Sequence, residues 1–341
     1  MPTNLMPGAA TSTKRSNTHS PILAADDLRK SYGGRLALAG LTFALPAGRL
    51  LGFLGPNGAG KTTAIRILTT ILQPDSGDFV VDGISSHDPE RIRRKIGVLP
   101  ESLGFPKSVT GIEFLTYYGR LYGRPAKDAK AYARMLLQEV NLQERGNSLI
   151  RTYSRGMRQR LGIARTLVND PAVVFLDEPT LGLDPAGQQE LLNMIHRIAR
   201  DRQTAVVLCS HHMAEIERIC DDVVILRSGQ VVASVSVRHV IAQGQRSDLI
   251  RIHVPAAAAA RARQVLEAEP RVKKVTLAGS ATDWLEVEPE ESRNGATSDN
   301  GHVGNRWLEA LIRADIPVLS FEAEGGRLHD AFLQLTQEVS R

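Results

Sequence analysis

The run LLGFLGPNGAGKTTAIRILTTIL, residues 50–72, constrains the fold more than any other part of the chain. Its first five residues are apolar enough to predict a buried strand, and KTTAIRILTTIL carries apolar residues at helical spacing. Between them Gly55-Pro56-Asn57-Gly58-Ala59-Gly60 runs into Lys61 and Thr62, so strand, glycine loop and helix follow in the order of the GxxxxGK(S/T) motif. A chain that begins a helix this way has its first turn facing a curled backbone, which points to an α/β layer.

The loop chemistry is specific. Glycines let successive backbone N–H groups converge on phosphate oxygens, and the helix N-terminus adds its partial positive charge. Gly55, Asn57, Gly58, Gly60, Lys61, Thr62 and Thr63 are therefore candidate phosphate contacts. Lys61 is expected to reach the β- and γ-phosphates and the Thr62 hydroxyl to ligate Mg²⁺. A second half of the site is expected at Val173–Glu178, an apolar strand ending in two carboxylates. Successive strand residues point opposite ways, so Asp177 is expected to face Mg²⁺ while Glu178 polarises an attacking water as general base.

Around this pair the pattern is that of an α/β fold with a mainly parallel sheet. ILAADDLRKSY and LALAGLTFAL predict antiparallel strands joined by a Gly33-Gly34 turn. DFVVDG, KIGVLP, AVVFLDE, TAVVLCS and DVVILRSG predict further strands, most of them separated by helical patterns. Residues 109–169 read as a wholly helical lobe. After Val235 the order becomes strand (DLIRIHV), Ala-rich helix, two strands (VKKVTLAG, DWLEVEP), helix (NRWLEALIRAD) and strand (PVLSFEAEG), the β-α-β-β-α-β order of a ferredoxin-like unit. EESRNGATSDNGHVGN is expected as a surface loop and RLHDAFLQLTQEVS as a closing helix. The implied division is a mobile tail over residues 1–20, a nucleotide-binding unit over 21–240 and an accessory unit over 241–341.

Composition sets outer limits. At 341 residues the chain suits two domains, and 42% hydrophobic with 23% charged residues excludes wholesale disorder and fibrous repeats. No stretch approaches the roughly 18 apolar residues of a spanning helix, and the N-terminus has no apolar core of a secretory signal, so a cytoplasmic chain is expected. A net charge of +5 suits anionic partners without selecting among them. The two cysteines, Cys209 and Cys220, have no metal-ligand spacing, so neither a zinc site nor a disulfide is expected.

GPNGAGKTT, YSRGMRQRLGIARTL, VVFLDEPTLGLDP and CSHHMAEIE, in this order and spacing, resemble the phosphate loop, signature, Walker B with D-loop, and switch-histidine segments of an ATP-binding cassette (ABC) protein, over residues 22–240. The resemblance implies a homodimer in which two ATP molecules are sandwiched, the signature of one copy closing over the nucleotide held by the other. Ser154 and the Gly156 N–H would touch the γ-phosphate at a helix N-terminus, although Ser154 also reads as an ordinary cap. Tyr32 matches the aromatic that stacks on adenine, Asp184 the D-loop carboxylate and His211 the switch histidine at the γ-phosphate, with His212 read as a helix-start or packing residue.

The pattern departs from the family at three places. Glu101 stands where Gln is usual and keeps an oxygen ligand for Mg²⁺, Ser154-Arg155-Gly156-Met157 stands for Ser-Gly-Gly-Gln, and Leu181 replaces a D-loop Ser. Residues 100–123 correspond to where such cassettes receive the coupling helix of a permease, making Phe105, Phe114, Tyr117 and Tyr118 candidate contacts or core residues. RIRRK, residues 91–95, reads as a solvated helix face. RLHDAFLQLT resembles the close of accessory domains in multidrug and polysaccharide exporters. The resemblance thus implies the ATPase subunit of a membrane exporter, cytoplasmic and peripheral on the inner face of the membrane, with a separate permease and no nucleic-acid partner. A soluble regulatory or nucleic-acid-associated cassette, and a cassette that binds without hydrolysing, are the competing readings.

Overall fold

The computed structural model describes residues 21–102, 104–237, 249–278, 283–290 and 300–324. The expected N-terminal tail, residues 291–299 of the expected loop and the RLHDAFLQLTQEVS helix lie outside the described residues.

Elements follow in the order β1 (Leu23–Tyr32), β2 (Arg35–Leu45), β3 (Leu50–Leu54), α1 (Lys61–Leu68), β4 (Ser76–Val81), β5 (Ile84–Ser85), α2 (Pro89–Lys95) and β6 (Ile96–Leu99). The helical lobe holds α3 (Gly111–Leu121), α4 (Ala126–Glu139) and α5 (Arg155–Thr166), and the chain returns through β7 (Val173–Asp177), α6 (Pro185–Arg202), β8 (Ala205–Cys209), α7 (Met213–Ile219), β9 (Asp222–Arg227) and β10 (Gln230–Ser236).

These strands form one sheet in the order β5-β4-β1-β2-β10-β9-β3-β8-β7-β6. From β9 through β3, β8 and β7 to β6 every pairing is parallel. The other flank is antiparallel, β1 pairing with β2 and β4. The sheet is therefore mixed, a parallel body carrying an antiparallel flank, and β10, the strand that joins the two, was not among those expected. It doubles back from β9 over Ser228 and Gly229, both at positive φ as a two-residue hairpin turn requires, and meets β2 through Gln230 and Ala39. The Gly33-Gly34 turn has the same geometry, at φ 53° and 81°. α2 buries only Ile92 and leaves its arginines exposed, as expected of RIRRK.

The sheet's two faces bury separate cores. Leu51, Phe53, Ala64, Ile67 and Phe175 pack on one side with α1, and Leu50, Leu176, Leu161, Ile195 and Phe114 on the other with the lobe and α6. Arg202 ties the lobe to this body, donating from Nε and Nη2 to Glu139 of α4 at 2.7 and 2.8 Å and from Nη1 to Asp170, next to β7, at 3.1 Å. Both cysteines are buried, and burial pushes their thiols well above the ordinary value.

β6 and α5 meet at backbone distance. A Cβ on Gly97 would lie 2.1 Å from the carbonyl oxygen of Thr166, and no rotamer change can relieve a clash with backbone. Gly97→Val is expected to cost more than the roughly 1–3 kcal/mol of ordinary overpacking, read as a fall in the denaturant midpoint, because β6 and the helix behind the signature must separate.

Residues 249–324 build a second sheet with its own core. β11 (Leu249–His253), α8 (Ala259–Glu267), β12 (Val272–Ala278), β13 (Trp284–Pro289), α9 (Asn300–Arg313) and β14 (Ser320–Glu324) give four antiparallel strands in the order β12-β13-β11-β14. Ile252, Val254, Leu266, Leu285, Val287, Trp307 and Leu311 fill the space between sheet and helices. The helix expected from Asn305 begins at Asn300, so NGHVGN belongs to it rather than to the loop. Its Gly304 is a close-approach residue and not a turn, since a Cβ there would stand 3.2 Å from the Phe321 ring.

Candidate nucleotide site

The loop after β3 behaves as its sequence predicts. Gly58 and Gly60 adopt φ 80° and 107°, a region L side chains rarely enter, and α1 starts at Lys61 directly behind them. Lys61 is buried, and its ammonium donates to the carbonyls of Gly55 at 2.6 Å and Pro56 at 3.2 Å. A pocket of about 310 Å³ opens over this loop. Asn57, Gly58, Gly60, Lys61, Thr62, Thr63, Glu101, Asp177, Glu178 and His211 all line it, so ten of the expected site residues, from four separate segments, share one cavity. Ala37, Ala59 and Leu181 line it too; Ala37 and Ala59 were not singled out as site residues from the sequence, and Leu181 was named there only as a departure from the D-loop pattern.

The sheet explains the convergence. β7 and β8 run parallel with Asp177 opposite Cys209, so Glu178, directly past β7, and His211, two residues past β8, emerge close together at the C-terminal edge. The Glu178 N–H donates to the Cys209 carbonyl at 3.0 Å. Glu178 sits at φ 48°, a conformation disfavoured for a side chain with a Cβ. Its Oε1 accepts from the His211 backbone N–H at 3.1 Å and meets His211 Nδ1 at 2.8 Å, whereas Oε2 is buried with no hydrogen-bond partner among the described residues. Asp177 is pushed above the usual carboxylate range, first by burial and then by the charges of Glu178 and Glu101, against the opposing pull of Lys61 and Arg66.

Ser154, Gly156, Asp184 and Tyr32 do not line this pocket. Ser154 caps α5, accepting the Met157 N–H at 3.2 Å. Asp184 is the exposed N-cap residue of α6, and Tyr32 is exposed at the end of β1. Arg158 donates to the Tyr153 carbonyl, Gln159 is buried, and Arg160 pairs with Glu190 at 2.6 Å, so the signature's polar run is largely tied up in its own fold. Arg155 lies against the D-loop: a Cβ on Gly182 would fall 2.2 Å from its Cζ. Gly55 belongs to the loop but acts through its carbonyl on Lys61.

Residues 38–181 match the family model described as ABC transporter. The daunorubicin/doxorubicin resistance ATP-binding protein DrrA of Streptomyces peucetius is 33% identical over 311 residues, covering 91% of this chain and 90% of that protein. The chain belongs to the ABC transporter family. As a member it is an ATP-binding cassette with ATPase chemistry. The Nod factor export ATP-binding protein I of Ralstonia nicotianae is 35% identical over 236 residues, 69% of this chain and 73% of the relative. Among solved structures, cbiO1 of Clostridium perfringens, part of a cbiONQ transporter complex, superposes with a TM-score of 0.62 at 25% identity over 66% of this chain and 92% of its own. A dimeric cassette in a post-hydrolysis state, bound to ADP and Pi, has the same fold at TM-score 0.57 and 22% identity, over 63% of this chain and 98% of its own.

Proposed function

We propose that this cassette is the ATP-binding and ATP-hydrolysing subunit of a membrane exporter, working as a homodimer around two ATP molecules beneath separate permease subunits. The observation that carries the proposal is the division of the site within one chain. Phosphate loop, Glu101, Asp177, Glu178 and His211 share a cavity, while Ser154, Gly156 and Asp184 stand outside it, exposed or partly exposed and facing solvent-accessible surface. A second copy would supply those three. Relatives named for drug resistance and Nod factor export support the exporter assignment. Among the described residues no helix is long and apolar enough to cross a membrane.

Within the site, Lys61 and the loop N–H groups bind the β- and γ-phosphates, Tyr32 stacks on adenine, and Glu178 takes the proton of the attacking water while His211 orients it against the γ-phosphate. Mg²⁺ fits the donors present. Thr62, Glu101 and Asp177 offer oxygen only, the hard set Mg²⁺ selects. The ion would supply charge neutralisation at the γ-phosphate.

Asp177 carries a sign test. Because its folded pKa is raised, the native chain binds more protons than the unfolded chain just above the usual carboxylate range, and stability falls as pH rises through that window. Asp177→Asn is therefore expected to raise the melting temperature of the chain in chelator at neutral pH while removing Mg²⁺-dependent turnover. A lowered melting temperature contradicts the assignment.

Residues 249–324, with strand order β12-β13-β11-β14, are read as a ferredoxin-like accessory domain within 241–341, following the nucleotide-binding domain of 21–240. Of the four aromatic candidates for permease contact, Phe114 is buried and Phe105 and Tyr118 pack against the core, which leaves Tyr117 as the exposed contact. Sedimentation of the Glu178→Gln chain at saturating ATP, and affinity isolation from native membranes, test the scheme. Dimers and a co-isolated integral membrane subunit are expected. Monomers, or nucleic acid in place of the membrane subunit, overturn it.

A further inference from the structure

We propose that Glu215 is a positioning residue that holds Glu178 and His211 in register for hydrolysis, a role that rests on the reading of Glu178 as general base. Glu215 stands in the first turn of α7, outside the pocket lining, and only 6% of its surface is exposed. Each carboxylate oxygen accepts from a fully buried hydroxyl. Thr180 Oγ1 donates to Oε1 at 2.6 Å, and Ser210 Oγ donates to Oε2 at 2.7 Å. Ser210 Oγ in turn accepts the His212 N–H at 3.0 Å.

The two hydroxyls belong to the two segments that bear the hydrolytic pair. Thr180 is two residues past Glu178, and Ser210 immediately precedes His211. β7 and β8 hold these segments in register only as far as Asp177 and Cys209. Beyond that point the ladder offers one further bond, from the Glu178 N–H to Cys209, and Glu178 itself occupies a backbone region that costs of order 1–3 kcal/mol. A conformation of that kind persists only when its surroundings over-determine it. The Glu215 carboxylate spans both exits from the sheet and closes a ring: Glu178, Thr180, Glu215, Ser210, His211 and back to Glu178 through the 2.8 Å contact.

Filling the space does not require a carboxylate. A buried carboxylate carries a desolvation cost, and apolar residues of like volume replace buried ionic groups without loss of stability in other proteins. Two hydroxyl bonds aimed at two catalytic segments are what an apolar residue would not provide. A displacement of about 1 Å at reacting groups can cost 10²-fold in rate, so the ring acts on turnover rather than on ATP binding.

The test uses the full chain. Turnover is read from steady-state phosphate release and ATP affinity from titration with a fluorescent ATP analogue. Glu215→Ala is expected to lower kcat by about 10- to 100-fold with ATP affinity within about twofold of the unsubstituted chain. Glu215→Gln, whose amide can meet both hydroxyls once one of them rotates, is expected to recover most of the rate. Thr180→Val and Ser210→Ala should each lower kcat, and each should add little to Glu215→Ala, as members of one network do. Should Glu215→Ala not fold, the Thr180→Val/Ser210→Ala double variant, which keeps the carboxylate, reads the same loss. A kcat within twofold for Glu215→Ala, or parallel losses of kcat and ATP affinity with no recovery by glutamine, overturns the positioning role alone. An unsubstituted chain that binds ATP without hydrolysing it overturns the general-base reading as well.

Discussion

Replacing Glu178 by glutamine is expected to lower kcat for ATP hydrolysis by about 10²- to 10⁴-fold, the span over which positioned general bases contribute. The substitution keeps the shape of a side chain whose Oε1 already serves His211, so the packing of the strand ends should survive. What it removes is the proton acceptor at the other oxygen, which is buried and has no hydrogen-bond partner among the described residues. An amide there cannot take a proton from water. ATP affinity should hold or rise, because one negative charge leaves the neighbourhood of Asp177 and of the incoming phosphates. Single-turnover phosphate release and ATP titration on the same preparation separate the two effects. A variant that hydrolyses at a tenth of the original rate or faster would move the base elsewhere.

Lys61→Ala is expected to act on the opposite quantity, weakening ATP binding by about 10²- to 10⁴-fold. Each charge-assisted hydrogen bond to a phosphate oxygen contributes roughly 1.5–3 kcal/mol, and Lys61 is placed for the β- and γ-phosphates together. The ammonium is buried and bonded to Gly55 and Pro56, so the alanine variant also leaves those two carbonyls without their donor. The loop itself should persist, because its turn rests on glycines at positive φ and on the Ala59 N–H bond to the Pro56 carbonyl. Equilibrium titration measures the loss, and circular dichroism at matched concentration checks that the sheet remains. Unchanged affinity would place the phosphates away from the loop.

Much of the site was legible because its chemistry is local in sequence. The glycine loop, the carboxylate pair after an apolar strand and the histidine after the next strand each announce themselves within about a dozen residues, and the parallel ladder of β7 and β8 does the rest. The antiparallel flank was half legible: the Gly33-Gly34 hairpin was expected, but β10 was not. QVVASVS has the alternation of a strand, yet its place between β2 and β9 depends on a pairing with residues nearly 200 positions earlier, which periodicity cannot report. Glycine misled once, at Gly304, where close packing against Phe321 and a loop signal look alike in one dimension. Glu215 was invisible for a similar reason. A glutamate in the first turn of a short helix reads as a solvated N-terminal charge, and only the fold brings Thr180 and Ser210 to it.

The burial of both native thiols has a practical side. Thiolate, not thiol, attacks maleimides, and Cys209 and Cys220 are withheld from that reaction twice over, by inaccessibility and by a pKa held well above the ordinary value. A single cysteine placed at Tyr117 should therefore be the one fast-labelling position among the described residues, with no need to mutate the background. Slow alkylation of the native pair would then time how often the strand carrying Cys209, in the middle of the sheet, comes apart.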